Sequence, residues 1–320
     1  MKRLALLVAL ALAGCAEPPT TPIAPRSANG AISVVAAPVP LNPTDPSQDH
    51  IGRFQYAGGL MLASADTSQL HGLSDLRVAR DGRLVSESDE GHLLAGRIVL
   101  DSKGRLVGLA DTKLTALLGP DGKPLPNKQE SDAEGLAIMG NGDLLISFER
   151  HHRILRYPAH GGPPTEVPSP RTTFPDNGGM EGLVQSPADG PDAYLVGGED
   201  SGQTWTCHLT KACQLGPRLS KPDEYGLVAL ATLPKGRLAY MIRAWDPLRG
   251  SRISLIILDA GRIEIDRMEL SKPLTVDNLE GLAAVPGRDG QIRFYLISDD
   301  NFQPSQRTLL LAFDWAPPGP

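Results

Sequence analysis

Apolar positions in this chain fall into short runs and not into long helical stripes. The first run, Leu4 to Leu12, follows Lys2 and Arg3 and ends in small residues. It is much shorter than the roughly 20 apolar residues of a membrane-spanning helix. A charged start, an apolar middle and a small-residue end describe a secretory signal peptide, which is removed and takes no part in the fold. Beyond residue 50 the apolar runs recur as an internal repeat marked by a Gly-Leu pair: Gly72-Leu73, Gly135-Leu136, Gly182-Leu183, Gly226-Leu227 and Gly281-Leu282. This loose spacing is that of propeller blades.

After each pair comes an apolar run, a tight turn and a second apolar run. The turns are Asp81-Gly82, Asn141-Gly142-Asp143, Ala188-Asp189-Gly190, Lys235-Gly236 and Asp289-Gly290, all hairpin signals. Third and fourth strands follow in most repeats, as in His92 to Leu100 with Leu106 to Leu114. Each repeat is therefore a four-stranded meander. The last has only three strands before the chain ends, and the strand Arg53 to Ala63 has no meander of its own. Pairing the two closes a ring and removes exposed sheet edges. The expected fold is an all-β propeller of four-stranded blades, five by repeat count, closed by the N-terminal strand. Six stays open because the first interval and the closing segment are long.

Leu12-Ala13-Gly14-Cys15 resembles the bacterial lipoprotein box, which implies that Cys15 is acylated and becomes the new N-terminus. The expectation is a lipid anchor on the periplasmic side of the cell envelope. Ala16 after the cysteine favours the outer membrane. Between Cys15 and His50 the chain is dense in proline (Pro18, Pro19, Pro22, Pro25, Pro38, Pro40, Pro43, Pro46) and reads as an extended tether outside the fold. The expected division is 1–14 signal peptide, 15–50 lipidated cysteine and tether, and 51–316 propeller, a monomer.

Composition excludes one partner class. The formal net charge is −6 and no Lys/Arg-rich run exists, so the basic stripe that nucleic acid requires is missing. Apart from Cys15, only Cys207 and Cys213 remain. In an oxidising compartment this isolated pair reads as a disulfide, with free thiols as the other reading. A zinc site would need two more ligands, and only His208 is near.

Propeller topology sends the loops entering each inner strand, and those joining second to third strands, to one face. That face collects Asp132, Glu134, Glu181, Asp223, Glu224, Asp277 and Glu280 from the first set. Glu87, Asp89, Glu90, Glu149, Glu199, Asp299 and Asp300 come from the second, with Arg150, His151, His152 and Arg243 among them. Carboxylates that close together need a cation or bound protons. Oxygen ligands without cysteine suit Ca2+ or Mg2+. The expected metal ligands are Glu134, Glu181, Glu280, Asp299 and Asp300. The expected catalytic set is Glu134, Glu181, Glu280, Glu149, Arg150 and Arg243. For any one carboxylate, a solvated loop or a hydrogen bond to the next blade is the competing reading, and the two histidines read first as a solvated pair.

The motifs Ser86-Glu87-Ser88-Asp89-Glu90-Gly91, Asp132-Ala133-Glu134-Gly135-Leu136, Ser147-Phe148-Glu149-Arg150, Asn177-Gly178-Gly179-Met180-Glu181, Asp277-Asn278-Leu279-Glu280-Gly281-Leu282 and Ser298-Asp299-Asp300-Asn301-Phe302 together resemble the phytase-like family described as "esterase-like activity of phytase". The resemblance implies ester hydrolysis on a small-molecule substrate. Glu90 stands where such proteins often carry arginine, which leaves Arg150 and Arg243 as the cations of the site. No Gly-x-Ser-x-Gly elbow exists; Ser74 is the nearest serine option. The leading expectation is a metal-dependent hydrolase of phosphate or carboxylic esters. A non-catalytic binding propeller and a lactonase are the alternatives.

Overall fold

The computed structural model describes residues 29–318. Four strands precede the first blade: β1 (Asn29–Ala31), β2 (Val35–Pro38), β3 (His50–Ile51) and β4 (Phe54–Ala63). Blade 1 is β5 (Leu73–Val78), β6 (Arg83–Ser88), β7 (His92–Leu100) and β8 (Leu106–Ala116). A single helical turn, α1 (Lys128–Ser131), leads into blade 2, which is β9 (Ala133–Ile138), β10 (Leu144–Phe148), β11 (Arg153–Tyr157) and β12 (Thr165–Val167). Blade 3 is β13 (Gly182–Gln185), β14 (Ala193–Gly197), β15 (Gln203–His208) and β16 (Lys211–Arg218). Blade 4 is β17 (Gly226–Thr232), β18 (Leu238–Asp246), β19 (Gly250–Leu258) and β20 (Glu264–Leu270). Blade 5 is β21 (Asn278–Pro286), β22 (Ile292–Asp299), β23 (Leu309–Trp315) and, as its outer strand, β4. The inner strands β5, β9, β13, β17 and β21 are neighbours around a closed ring. The propeller therefore has five blades, and β4 paired with β23 is its closure.

The segment before β4 is not the free tether its prolines suggest. From residue 29 onward it lies on the domain: β1 pairs with β8, and β2 pairs with β4. Tyr56 donates to Val39 O (2.6 Å), Thr275 to Pro40 O (2.6 Å), and Leu41 is buried in the core. The run Val34-Val35-Ala36-Ala37 supplies strand-forming residues between the prolines, and both pairings cover outer strands that would otherwise be bare edges. The signal peptide, Cys15 and the start of the tether lie outside the described residues.

Strand register corrects the repeat frame in two blades. Gly135-Leu136, Gly182-Leu183 and Gly281-Leu282 occupy one equivalent position, but in blade 1 that position is Asp75-Leu76 and in blade 4 it is Ala229-Leu230. The bulges establish this. In blade 2 the extra residue is Glu134, in blade 5 Glu280, in blade 1 Ser74 and in blade 4 Val228. The Gly-Leu pairs at 72–73 and 226–227 thus lie one turn of the pattern too early. Small residues are required there because the inner strands crowd at the axis: a Cβ on Gly135 would sit 2.5 Å from Glu181 O, and one on Gly281 2.7 Å from Asp75 Cα.

Those small residues leave room for one ion pair. Asp75 is fully buried on the axis, where it accepts from the backbone N–H of Leu76 (2.8 Å), Leu136 (3.1 Å) and Leu282 (3.1 Å). Arg77, two residues on and so on the same side of β5, bonds Asp75 at 2.8 Å and donates to Leu76 O (2.6 Å), Leu282 O (2.7 Å), Leu183 O and Leu230 O. One residue pair from blade 1 is hydrogen-bonded to the inner strands of all the other blades.

The Cys207–Cys213 disulfide joins β15 to β16 in blade 3. Native, unreduced protein should take up no alkylating reagent at either cysteine, and reduction should cost about 2 kcal/mol by the chain-entropy estimate, read by denaturant titration. Arg77→Met keeps the side-chain length but strands the buried carboxylate and its neighbours' carbonyls. It should destabilise the propeller by about 3 to 5 kcal/mol, with a lowered denaturation midpoint as the measure.

Candidate active site

Above the Asp75–Arg77 pair, the bulges at the starts of β9 and β21 aim Glu134 and Glu280 toward the axis. A bulge re-directs the extra residue and bends its strand. Glu181, just before β13, joins them. The loop after β10 brings Glu149, the loop after β14 brings Glu199, and β22 ends on Asp299. All six acids share one face and lie close enough to raise one another's pKa.

Burial is the main cause of each shift and mutual repulsion adds to it. Glu149 is pushed up to about 8 by burial, then by Glu199 and Asp132. Asp299 is pushed up to about 8 by burial and by Glu280. Burial raises Glu280 to about 7 although Arg243 pulls it down, and raises Asp89 to about 7 against the pull of Lys128. Glu134 and Glu181 are held well above the usual carboxylate range, by burial and then by their acid neighbours.

Two subsets bring one oxygen from each of three carboxylates within 4.8 Å: Asp132, Glu134 and Glu149, and Glu149, Glu181 and Glu199. Glu149 belongs to both. It is buried, and its Oε1 has no hydrogen-bond partner. The expected ligands divide accordingly. Glu134 and Glu181 are in these subsets, joined by Asp132, Glu149 and Glu199. Glu280 instead pairs with Arg243 (3.1 Å) and accepts from Asn278 Nδ2 (2.9 Å). Asp299 caps Asn301 N (2.7 Å). Asp300 is turned to structural work, accepting from Gly72 N (3.2 Å) and Thr308 Oγ1 (2.8 Å). It holds two loops together and stands outside both subsets.

The cations also differ from one another. Arg243 comes from β18 and reaches Asn278 and Glu280, with Glu199 at 3.7 Å. Against the cost of burial, Glu280, Glu181 and Glu199 hold its pKa above the usual value. Blade 4 thus gives a guanidinium where its bulge residue, Val228, gives no carboxylate. Arg150, at positive φ, is tied to Asp132 at 2.5 Å, and Lys128 bridges Asp89 and Asp132 at 2.6 Å each. His151 faces Glu130 (3.0 Å) on the surface, whereas His152 contacts Pro175 O (2.8 Å). Glu224 lies apart, 3.6 Å from Arg252. Ser74 is buried, and among the described residues its hydroxyl is hydrogen-bonded to Gly72 O at 3.5 Å and to no base.

Glu87, expected among the acids of this face, lies instead on the axis beneath them. Glu87 is fully buried in β6 opposite Asp75, and both its oxygens lack hydrogen-bond partners. Burial and then Asp75 raise its pKa well above the ordinary carboxylate value.

A family model described as phytase-like, "esterase-like activity of phytase", matches residues 68–302 and so takes in the whole acid cluster. The chain belongs to this family. No curated protein matches it. Among solved structures it is similar to one described as a gluconolactonase, at 13% identity and TM-score 0.48, covering 91% of each chain. It is also similar to the calcium-binding protein regucalcin from Agrobacterium tumefaciens, at 13% identity and TM-score 0.47, over 91% of this chain and 90% of that one. A third is virginiamycin B lyase from Staphylococcus aureus, at 14% identity and TM-score 0.42, over 89% of this chain and all of that one.

The acid cluster predicts a particular pH dependence of stability. Glu149, Glu280, Asp299 and Asp89 have folded-state pKa values of about 7 to 8, above the roughly 4 of an unfolded carboxyl group. Between those limits the folded state binds more protons, so stability falls as pH rises. In chelator, the melting temperature should drop steadily from about pH 5 to 9 and the drop should be shallower in Glu149→Gln.

Proposed function

We propose that this phytase-like protein is a metal-dependent ester hydrolase, lipid-anchored through Cys15 on the periplasmic side of the outer membrane. The observation that carries the reading is Glu149: a buried carboxylate with an unpartnered oxygen, shared by two three-carboxylate groups. An all-carboxylate donor set without cysteine fits a hard divalent cation, Ca2+ or Mg2+. Asp132, Glu134, Glu149, Glu181 and Glu199 would hold it. A bound cation of this kind polarises an ester oxygen and lowers the pKa of a water beside it.

The chain's own residues supply the rest. Glu280, with a pKa of about 7, is matched to proton transfer at neutral pH, and Arg243 and Asn278 fix its position. It takes the proton from the attacking water. Arg243, anchored by Glu280 and Asn278, steadies negative charge on the ester as the carbonyl or phosphoryl group is attacked. Asp75 and Arg77 fill the axis below, so the acids open to solvent on one face only. The family's description supports ester chemistry.

Turnover of 4-nitrophenyl acetate and of 4-nitrophenyl phosphate, each with Ca2+, with Mg2+ and after chelation, tests the reading; no turnover under any condition refutes it. Glu149→Gln should weaken cation affinity by at least about tenfold, through loss of a ligand charge. Glu280→Gln should leave affinity within a few-fold and reduce kcat by about a hundredfold or more, as loss of a general base does. Cys15→Ser should move the protein out of the detergent phase on partitioning. Unchanged partitioning removes Cys15 as the anchor.

A further inference from the structure

A cavity of about 560 Å³ opens over blade 3 beside the acid cluster, with Glu199 and Gly178 in its wall. Glu199 is also one of the carboxylates grouped with Glu149 and Glu181, so the cavity shares a wall residue with the proposed cation site. Its character is different. Phe174 and Trp205 meet edge-to-face, with centroids 5.9 Å apart and planes at 71°, and Pro175 and Leu215 extend the apolar lining. Leu215 is 74% exposed and so offers its side chain to the cavity mouth. The rest of the lining is polar and holds both signs of charge: the exposed Arg171 and Arg218, and Asp200 beside Glu199; Arg218 donates to Ser201 O, and Arg171 makes no ion pair among the described residues.

The floor depends on a glycine. A Cβ at Gly198 would sit 2.9 Å from Ser201 Oγ and 3.3 Å from the Trp205 ring, and would touch Phe174 at 3.4 Å, so a side chain there would displace Ser201 and crowd Trp205. Aromatic rings attract a further ring edge-on or offset, and a guanidinium attracts both a π face and an anionic substituent. The volume is that of a small-molecule pocket. From this geometry we propose that the cavity over blade 3 is a subsite for an aromatic ring bearing negative charge, which makes esters whose aromatic ring carries a free anionic substituent the substrate class of the neighbouring acid site. The substrate assignment rests on the hydrolase reading; occupancy of the cavity does not.

The two are separated by measuring binding without turnover. Calorimetric titration of the purified protein with 2-naphthoate, in chelator, should show saturable binding. Decahydro-2-naphthoate has the same charge and carbon skeleton without the π system, and it should bind several-fold more weakly. Phe174→Ala should weaken 2-naphthoate about tenfold, and Phe174→Leu, which keeps apolar bulk, should still lose most of the preference over the saturated analogue. Leu248→Ser, at an exposed apolar residue outside the cavity, should change nothing. Absent saturable binding, equal affinity for the two ligands, or wild-type affinity in Phe174→Ala each overturns the proposal. Binding as expected without ester turnover leaves the subsite standing and removes the hydrolase. Turnover of small aliphatic esters without naphthoate binding does the reverse.

Discussion

Asp75 and Arg77 meet on the axis of the propeller, and the rest of the molecule is arranged around them. Their hydrogen bonds reach Leu136 in blade 2, Leu183 in blade 3, Leu230 in blade 4 and Leu282 in blade 5. A five-bladed ring brings its inner strands too close for ordinary side chains at this level, which is why Gly135, Gly182, Ala229 and Gly281 stand at the positions equivalent to Asp75. The space they vacate takes one carboxylate and one guanidinium. Burial lifts Asp75 to about 6, and Arg77 with three backbone donors holds it from rising further. Removing either partner would leave the other as an unpaired buried charge, a far larger loss than the pair's own net contribution.

That plug also gives the acid face its properties. The channel is closed below, so carboxylates entering from above are desolvated by the blades and by one another. In water, six or more carboxylates would ionise fully and repel. Here they divide: Glu280 and Glu199 lean on Arg243, Asp132 and Asp89 lean on Lys128, and Asp132 is further held by Arg150. Glu149 and Glu134 make no ion pair among the described residues, although the charge of Arg150 pulls the pKa of Glu149 down, and with Asp132, Glu181 and Glu199 they form the two three-carboxylate groups proposed above to hold a cation. The asymmetry comes from the blades. Blades 2, 3 and 5 each supply a glutamate at the start of the inner strand, blade 4 supplies Arg243 from its second strand, and blade 1 supplies the axial pair.

The same inequality among blades shapes the surroundings of the site. On blade 3, Phe174, Trp205 and Leu215 share a cavity with Glu199, Asp200, Arg171 and Arg218; between blades 4 and 5 the lining joins Trp245 and Val276 to Arg243, Lys272 and the Asp277–Arg307 pair. A ligand spanning this face would meet two aromatic rings on the blade 3 side and one on the other.

The sequence by itself determined the fold class, the closure and the face on which the acids gather. These depend on local signals that repeat: glycine turns between apolar runs, an orphan first strand, and glutamates at the strand entries. The Cys207–Cys213 bond was legible for a similar reason, since the two cysteines stand six residues apart in one hairpin and Cys15 was read as the acylation site. What the sequence misplaced were matters of register and direction. The Gly-Leu pairs at 72–73 and 226–227 match the repeat by residue type, but a bulge one step later moves the axial position to Asp75-Leu76 and Ala229-Leu230, and a bulge depends on pairing with the next strand. Asp300 has the same side chain as Asp299 and sits beside it, yet only the tertiary structure turns it to Gly72 and Thr308. Residues 29–50 read as tether because prolines dominate the composition, whereas the free edges of β8 and β4 that recruit them are formed by strands distant in sequence. Asp75 and Arg77 gave no warning at all, and Glu87 was read into the acid face although it lies opposite Asp75, because their places are fixed by a channel that exists only once the ring has closed.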